Sequence, residues 1–251
     1  MARLPALIDA IAEHDGRGRP TIFHIARRVR DAGLIASKTR GAGAAAMTYR
    51  DAAILLMAVN GDINPLGSVA AAQALTELQP APPDKMWFMQ REDLPDHFDW
   101  LREPLGFAET LERLIEHAPD VAAWEAAYFD PGSDLETGQT ETEFSIRRSI
   151  NRLAGVGGGL RPSLSRPVRV VFYVPGHAAE VHLGWVWDDL VESDAFHEYY
   201  VPPPTADLKR FPHYDTLIPI EVGTPMLLAL HNAVNARPPT RGPASTPPGG
   251  G

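Results

Sequence analysis

The sequence contains no cysteine, which removes disulfides, thiol nucleophiles and cysteine-ligated zinc from consideration. No stretch approaches the roughly 20 apolar residues of a membrane-spanning helix. The opening MARLPALIDAIAEHDG is charged by Asp9 and lacks a long apolar core, so no signal peptide is expected either. Nucleophile-elbow, dinucleotide-fingerprint and paired-carboxylate signatures are also missing. The glycine run 155–159 is followed by no Lys-Ser/Thr pair and preceded by no clear strand, so it reads as a connector rather than a phosphate loop. No internal repeat is present. What these absences leave is a cytoplasmic, non-membrane chain with no expected cofactor, metal or catalytic residue. Its 251 residues, 44% hydrophobic and 22% charged, suffice for one large domain or two small ones.

Charge is scarce in one sign only when the chain is divided. The formal net charge is −9, yet residues 1–62 hold nine Lys and Arg against six Asp and Glu. The remainder holds 14 against 26. A basic head on an acidic body is compatible with a polyanionic partner, although the body opposes loose, non-specific binding.

The basic head centres on PTIFHIARRVRDAGLIASKTRGAGAAAMTYRDAAILLMAV, residues 20–59. Thr21 is a candidate N-cap behind Pro20. Ile22, Ile25, Ala26, Val29 and Gly33 fall on one stripe at helical spacing. His24, Arg27, Arg28 and Asp31 lie opposite, with Phe23 and Arg30 on one flank. Gly33 suits the helix stop, because glycine enters the left-handed region without a Cβ clash. Leu34 and Ile35 suit a short strand, and Lys38 to Gly43 is a turn carrying Lys38 and Arg40. Residues 44–48 are expected to return as a second strand, and Tyr49 to Val59 as a helix. Cations on a helix and on the next turn fit phosphate binding, and an α-helix fits the major groove, where arginine can bond guanine bidentately. The plainer reading is a surface helix with a solvated cationic face.

The order helix, AGLI, basic turn, helix resembles the winged helix-turn-helix of bacterial regulators, and more loosely the N-terminal domains of MerR-type proteins. It is also similar to small phage and prophage proteins. The resemblance covers about residues 4–60. It implies a sequence-specific regulator or phage-derived accessory protein whose partner is double-stranded DNA. Carried over, it puts Thr21, His24, Arg27, Arg28 and Arg30 on a recognition helix and Lys38 and Arg40 on a wing. Ala42 and residues 44–46 make this wing less cationic than many.

Leu4 to His14 is expected as a first helix with Leu4, Leu7, Ile8 and Ile11 inward. Residues 15–20 read equally as a phosphate contact or a solvated loop. Leu66 to Leu78 reads as a helix through Val69, Ala70, Ala74, Leu75 and Leu78. Residues 79–84, Gln-Pro-Ala-Pro-Pro-Asp, mark a linker. The expected organisation is therefore a winged-helix domain over 1–79, a linker at 80–84, an acidic domain over 85–236 and a disordered tail over 237–251. Within the acidic domain, helical stripes run through Phe107, Leu111, Leu114 and Ile115, and through Val121, Trp124, Ala127 and Tyr128. Residues 143–153 suit a further helix.

Residues 167–187 alternate apolar and polar about Pro175-Gly176-His177, which predicts a β-hairpin. Thr216 to Val222 suits another strand. Thr224-Pro225 opens a helix that buries Met226, Leu227, Leu230 and Val234. The fold class is α+β.

Polar clusters outside the head carry little chemistry. His177, Glu180 and His182 are metal-ligand types without a metal spacing, with Glu180 and His182 sharing a strand face. His213, Tyr214 and Asp215 read as a turn. His197, with Glu192, Asp194 and Glu198, reads as a solvated acidic face, and Trp185, Trp187, Tyr199 and Tyr200 as core or rim. A homodimer is possible through Phe172, Leu183, Trp185, Trp187, Leu227 and Leu230, residues that equally suit a private core. The alternative function is a protein-interaction module with a purely structural winged helix, or an enzyme of unrecognised type.

Overall fold

Residues 3–36, 46–81, 96–129, 168–174, 178–183, 196–203 and 218–236 are described in the computed structural model. Helix α1 spans Leu4–His14 and buries Leu7, Ile8, Ala10 and Ile11 on the expected stripe. Helix α2 spans Arg19–Asp31 and buries Ile22, Ile25, Ala26 and Val29. Between them, Asp15 accepts from the backbone N–H of Arg17 at 2.9 Å and from its guanidinium at 2.6 Å. The same guanidinium donates to the Val59 carbonyl and, at 3.2 Å, to Asn60 Oδ1. The basic connector is thus a brace between two distant turns.

Helix α2 starts earlier than the sequence suggests. Gly18, at φ +77°, is the N-cap, and Pro20 lies in the first turn. Proline is tolerated there because first-turn amides have no intrahelical partner. Thr21 is therefore inside the helix and does not cap it. At the other end Gly33 adopts φ +75°. Its N–H donates to Arg30 O at 2.9 Å, and the N–H of Leu34 donates to Val29 O at 3.1 Å. This paired closure satisfies two terminal carbonyls.

The strands expected at residues 34–35 and 44–48 do not form where the chain is described. Leu34 and Ile35 are a bend, and residues 46–48 are irregular. Asp51 supplies the physical reason. Its carboxylate accepts from Ala36 N at 2.9 Å and from Thr48 N at 2.8 Å, so amides that flank the intervening segment are held by a side chain. Thr48 Oγ1 accepts from Asp51 N at 3.1 Å and completes a capping box at the start of helix α3, Tyr49–Asn60.

Helix α3 is apolar on almost every side and buries Ala52, Ala53 and Leu55 through Val59, which makes it the central helix. Helix α4, Ser68–Thr76, is shorter than expected and is rotated. It buries Ser68, Ala71, Ala72 and Leu75, while Ala70 and Leu66 are exposed. The small residues face α3 because the helices approach closely at Gly61. A Cβ there would lie 2.7 Å from Leu75 Cδ1 and 2.9 Å from Ala71 Cβ.

The chain then forms strand β1 (Gln79–Pro80), a short 3-10 helix (Asp96–Leu101), α5 (Phe107–Glu116) and α6 (Ala118–Phe129). Four strands follow, β2 (Val168–Val174), β3 (Ala178–Leu183), β4 (Phe196–Val201) and β5 (Ile218–Gly223), and then helix α7 (Thr224–Asn235). The sheet order is β1-β4-β3-β2-β5, and every pairing is antiparallel. The β2–β3 hairpin pairs Val171 with Glu180 and Arg169 with His182. Val168, Val170, Phe172, Val174, Val181 and Leu183 face the helices. Phe107 of α5 packs 5.6 Å from the Phe172 ring and 5.2 Å from the Tyr200 ring. Thr224 is the first residue of α7 rather than its cap. Gly223 holds that position, and Thr224 Oγ1 is buried without a hydrogen bond among the described residues.

The boundary expected at 80–84 does not separate two cores. Pro80 sits in an edge strand opposite Tyr200, where a missing N–H costs no ladder bond. One buried cluster runs from Leu7 to Ala233, with α7 packed on α1 and α5 packed on α3. Phe172, Leu183, Leu227 and Leu230 are all within it, so they fill the protomer's own core and offer no dimer face. Strand β4 also corrects the solvated reading of its sequence, since Glu198 is 1% exposed. The basic turn at 38–43, the helix at 143–153, the glycine run at 155–159, His177, Trp185, Trp187, His213 to Asp215 and the tail at 237–251 lie outside the described residues. Among the described residues, no helix is long and apolar enough to cross a membrane.

Candidate nucleic-acid interface

Helix α2 packs against α1, α3 and α4 through its apolar stripe and turns its other side outward. Four large side chains follow one another along that side at steps of three or four residues: Arg19, Phe23, Arg27 and Arg30. Phe23 is 51% exposed. His24 is exposed beside this ridge, and Thr21 is half-buried.

The cations are balanced by carboxylates in solvent. Arg19 Nε lies 2.5 Å from Asp9 Oδ1, Arg27 Nε 3.5 Å from Asp31 Oδ2, and Arg30 Nη2 2.8 Å from Asp31 Oδ1. The Arg30 hydrogen bond is the main reason the Asp31 carboxyl is held below its usual value. Exposed pairs of this kind are worth little, so a phosphate can displace the carboxylate at small cost.

Arg28 differs from its neighbours. It is half-buried, its Nη2 donates to the Leu66 carbonyl at 2.9 Å, and its Nε is buried without a hydrogen bond among the described residues. The sequence placed it beside Arg27 as an exposed contact, but the chain after α3 folds back against it. Its guanidinium holds α2 to the turn before α4. Lys38 and Arg40 fall in the sequence between Ala36 and Thr48, two residues whose amides both donate to Asp51 in the first turn of α3.

A second polar constellation spans the sheet face away from the helices. Tyr173 Oη donates to Glu180 Oε1 at 2.7 Å, and His182 Nε2 lies 2.7 Å from Glu180 Oε2. Arg169 Nη2 lies 3.3 Å from His182 Nδ1, and its Nη1 lies 3.7 Å from Glu221 Oε1. A guanidinium can only donate, so Nδ1 accepts and Nε2 carries the proton given to Glu180. Burial, followed by the Glu180 hydrogen bond and charge, pushes the Tyr173 hydroxyl well above its usual range, so it remains a donor. Glu180 and His182 do share a face, as the alternation predicts. Their partners Tyr173 and Arg169 come from the neighbouring strand, and only the pairing register brings the four together.

On the opposite face Tyr200 Oη lies 2.8 Å from Thr110 Oγ1 and 2.5 Å from Glu198 Oε2, which ties α5 to the sheet. Among the described residues, no group of three His, Asp or Glu is placed to hold a metal ion. A cleft of about 470 Å³ between α3 and α5 is lined by Tyr49, Arg50, Glu109, Glu112, Arg113 and Glu116. Its carboxylates outnumber its guanidiniums, and burial raises the Glu112 carboxyl despite Arg50, so it is unsuited to a polyanion.

No protein-family model matches the chain, and no curated protein or solved structure matches it either.

Proposed function

We propose that the protein binds double-stranded DNA through the outward side of α2. The observation that carries this reading is the division of the helix. Its whole apolar stripe is buried, while His24 and Arg27 lie opposite it, exposed, and exposed Arg19 and half-buried Arg30 lie on one flank. The helical diameter suits the major groove, and the cations suit the flanking phosphates. The Asp51 clamp supports the same reading. It holds Ala36 and Thr48, which flank the residues carrying Lys38 and Arg40 in the sequence, to one carboxylate. In this arrangement α2 is the recognition helix of a winged helix-turn-helix, with α1 and α3 as its supports. The protein then acts as a sequence-specific regulator or phage-type accessory factor.

The test uses the whole chain, because α1 and α3 bury their cores against α7 and α5. Three phosphate contacts predict a roughly 40-fold loss of duplex affinity between about 50 and 200 mM salt. Arg27→Ala is expected to lower the salt slope by about 1. No mobility shift at about 50 mM salt would end the DNA reading.

A further inference from the structure

Resting on that reading, we infer that Phe23 reads thymine, by placing its ring against the C5-methyl group in the major groove. Four observations lead there. Phe23 is the only Phe, Tyr or Trp of α2, and its ring, unlike that of neighbouring His24, carries no polar atom. It lies on the outward side and is 51% exposed, although the helix has a complete buried stripe without it. Arg19 and Arg27 stand one turn before and after it, so cations flank it along the helix axis. Arg28, which the sequence places beside Arg27 as a base-reading contact, is held by the Leu66 carbonyl, which shifts the outward centre of the helix toward Phe23.

The chemistry then narrows the occupant. The cationic neighbours select an anionic partner, and the ring between them has neither donor nor acceptor. In the major groove the one apolar feature that distinguishes a base pair is the thymine methyl. Arg19 and Arg27 would reach the phosphates on either side and hold the ring at the depth of the base edges. Carboxylates are close by, Asp9 beside Arg19 and Asp31 beside Arg27, and both are solvent-exposed enough for phosphates to displace them.

The experiment isolates a bound duplex from a random pool with the full-length protein, then replaces its thymines one at a time by uracil. That substitution keeps base pairing and charge and removes only the methyl group. At the contacted position, affinity is expected to fall about fourfold, the worth of one buried methyl-sized group. In Phe23→Ala the same replacement is expected to have no effect, and in Phe23→Leu the preference for thymine should persist. The salt slope should match that of the unaltered protein in both variants, because no phosphate contact is removed. A thymine preference that survives in Phe23→Ala overturns the inference, as does a bound duplex in which no thymine responds. Loss of single-strand binding in Phe23→Ala, equal for thymine and uracil, also overturns it by showing ring stacking instead. Failure to bind any duplex removes the DNA reading and this inference together, whereas the other negative results leave the DNA reading standing.

Discussion

The outward side of α2 and the outer face of the sheet use the same residue types in opposite ways. On α2 the pairs are open to water: Arg27 and Asp31 are 65% and 53% exposed and 3.5 Å apart. On the sheet, His182 and Glu180 are 5% and 12% exposed and 2.7 Å apart. Exposed pairs gain little from one another and exchange partners readily. Pairs taken out of water must satisfy each other fully, because an orphaned buried polar group costs more than the bond was worth. The charges on the ridge are open to solvent, whereas in the Tyr173–Glu180–His182–Arg169 chain the four side chains hydrogen-bond one another in succession and Arg169 also reaches Glu221. This difference is what favours the helix over the sheet for the proposed binding role.

Glu180→Ala tests the contrast most severely. It removes the common acceptor of Tyr173 and His182 and is expected to cost about 3 kcal/mol in urea denaturation. A loss below about 1 kcal/mol would mean that the chain is not a structural tie, and would return it to consideration as a reactive site.

Arg17→Ala probes an intermediate case, since Arg17 and Asp15 are 27% and 9% exposed. Losing the brace to Asp15, Val59 and Asn60 should cost about 2 kcal/mol near neutral pH. Burial pushes the Asp15 carboxyl up, but the Arg17 hydrogen bonds and charge together outweigh it and hold the carboxyl below its ordinary value. The pair's contribution is therefore complete above the unfolded carboxyl pKa of about 3.9 and is lost as pH falls through the lower folded value. Denaturation across that window should show the gap between variant and parent narrowing in acid. A constant gap would locate the loss in the carbonyl contacts instead.

Arg27→Ala should give the smallest change in stability, within about 0.5 kcal/mol, because its carboxylate partner is in solvent. Thermal melts and the salt titration together decide it. A large stability loss would show that α2 is not free on this side.

Much of the helical architecture was legible because periodicity is a local property. The stripes of α1 and α2, the stop at Gly33 and the β2–β3 hairpin all follow from spacing and from one or two special residues. The start of α2 lies three residues earlier than the sequence suggests because Thr21 and Gly18 both satisfy local cap rules. Pro20 is equally at home before a helix or in its first turn. The rotation of α4 was not legible either, because an alanine-rich helix carries almost no directional signal until α3 approaches at Gly61.

The amino-acid sequence by itself determined which segments are amphipathic, which residues can carry charge outward on α2, and that the chain mixes helices with an antiparallel hairpin. Tertiary structure alone decided which of those charges stay free. Arg28 and Arg27 are adjacent and chemically identical, yet Leu66, 38 residues on from Arg28, takes one of them out of play. Asp51 reads as an ordinary first-turn acid until it is seen to hold Ala36 as well as Thr48. Glu198 looks solvated until β4 joins the sheet and Tyr200 meets it beneath α5. Each outcome depends on a partner far along the chain. Periodicity reports the direction a side chain leaves its own backbone, but carries no information about what comes to meet it.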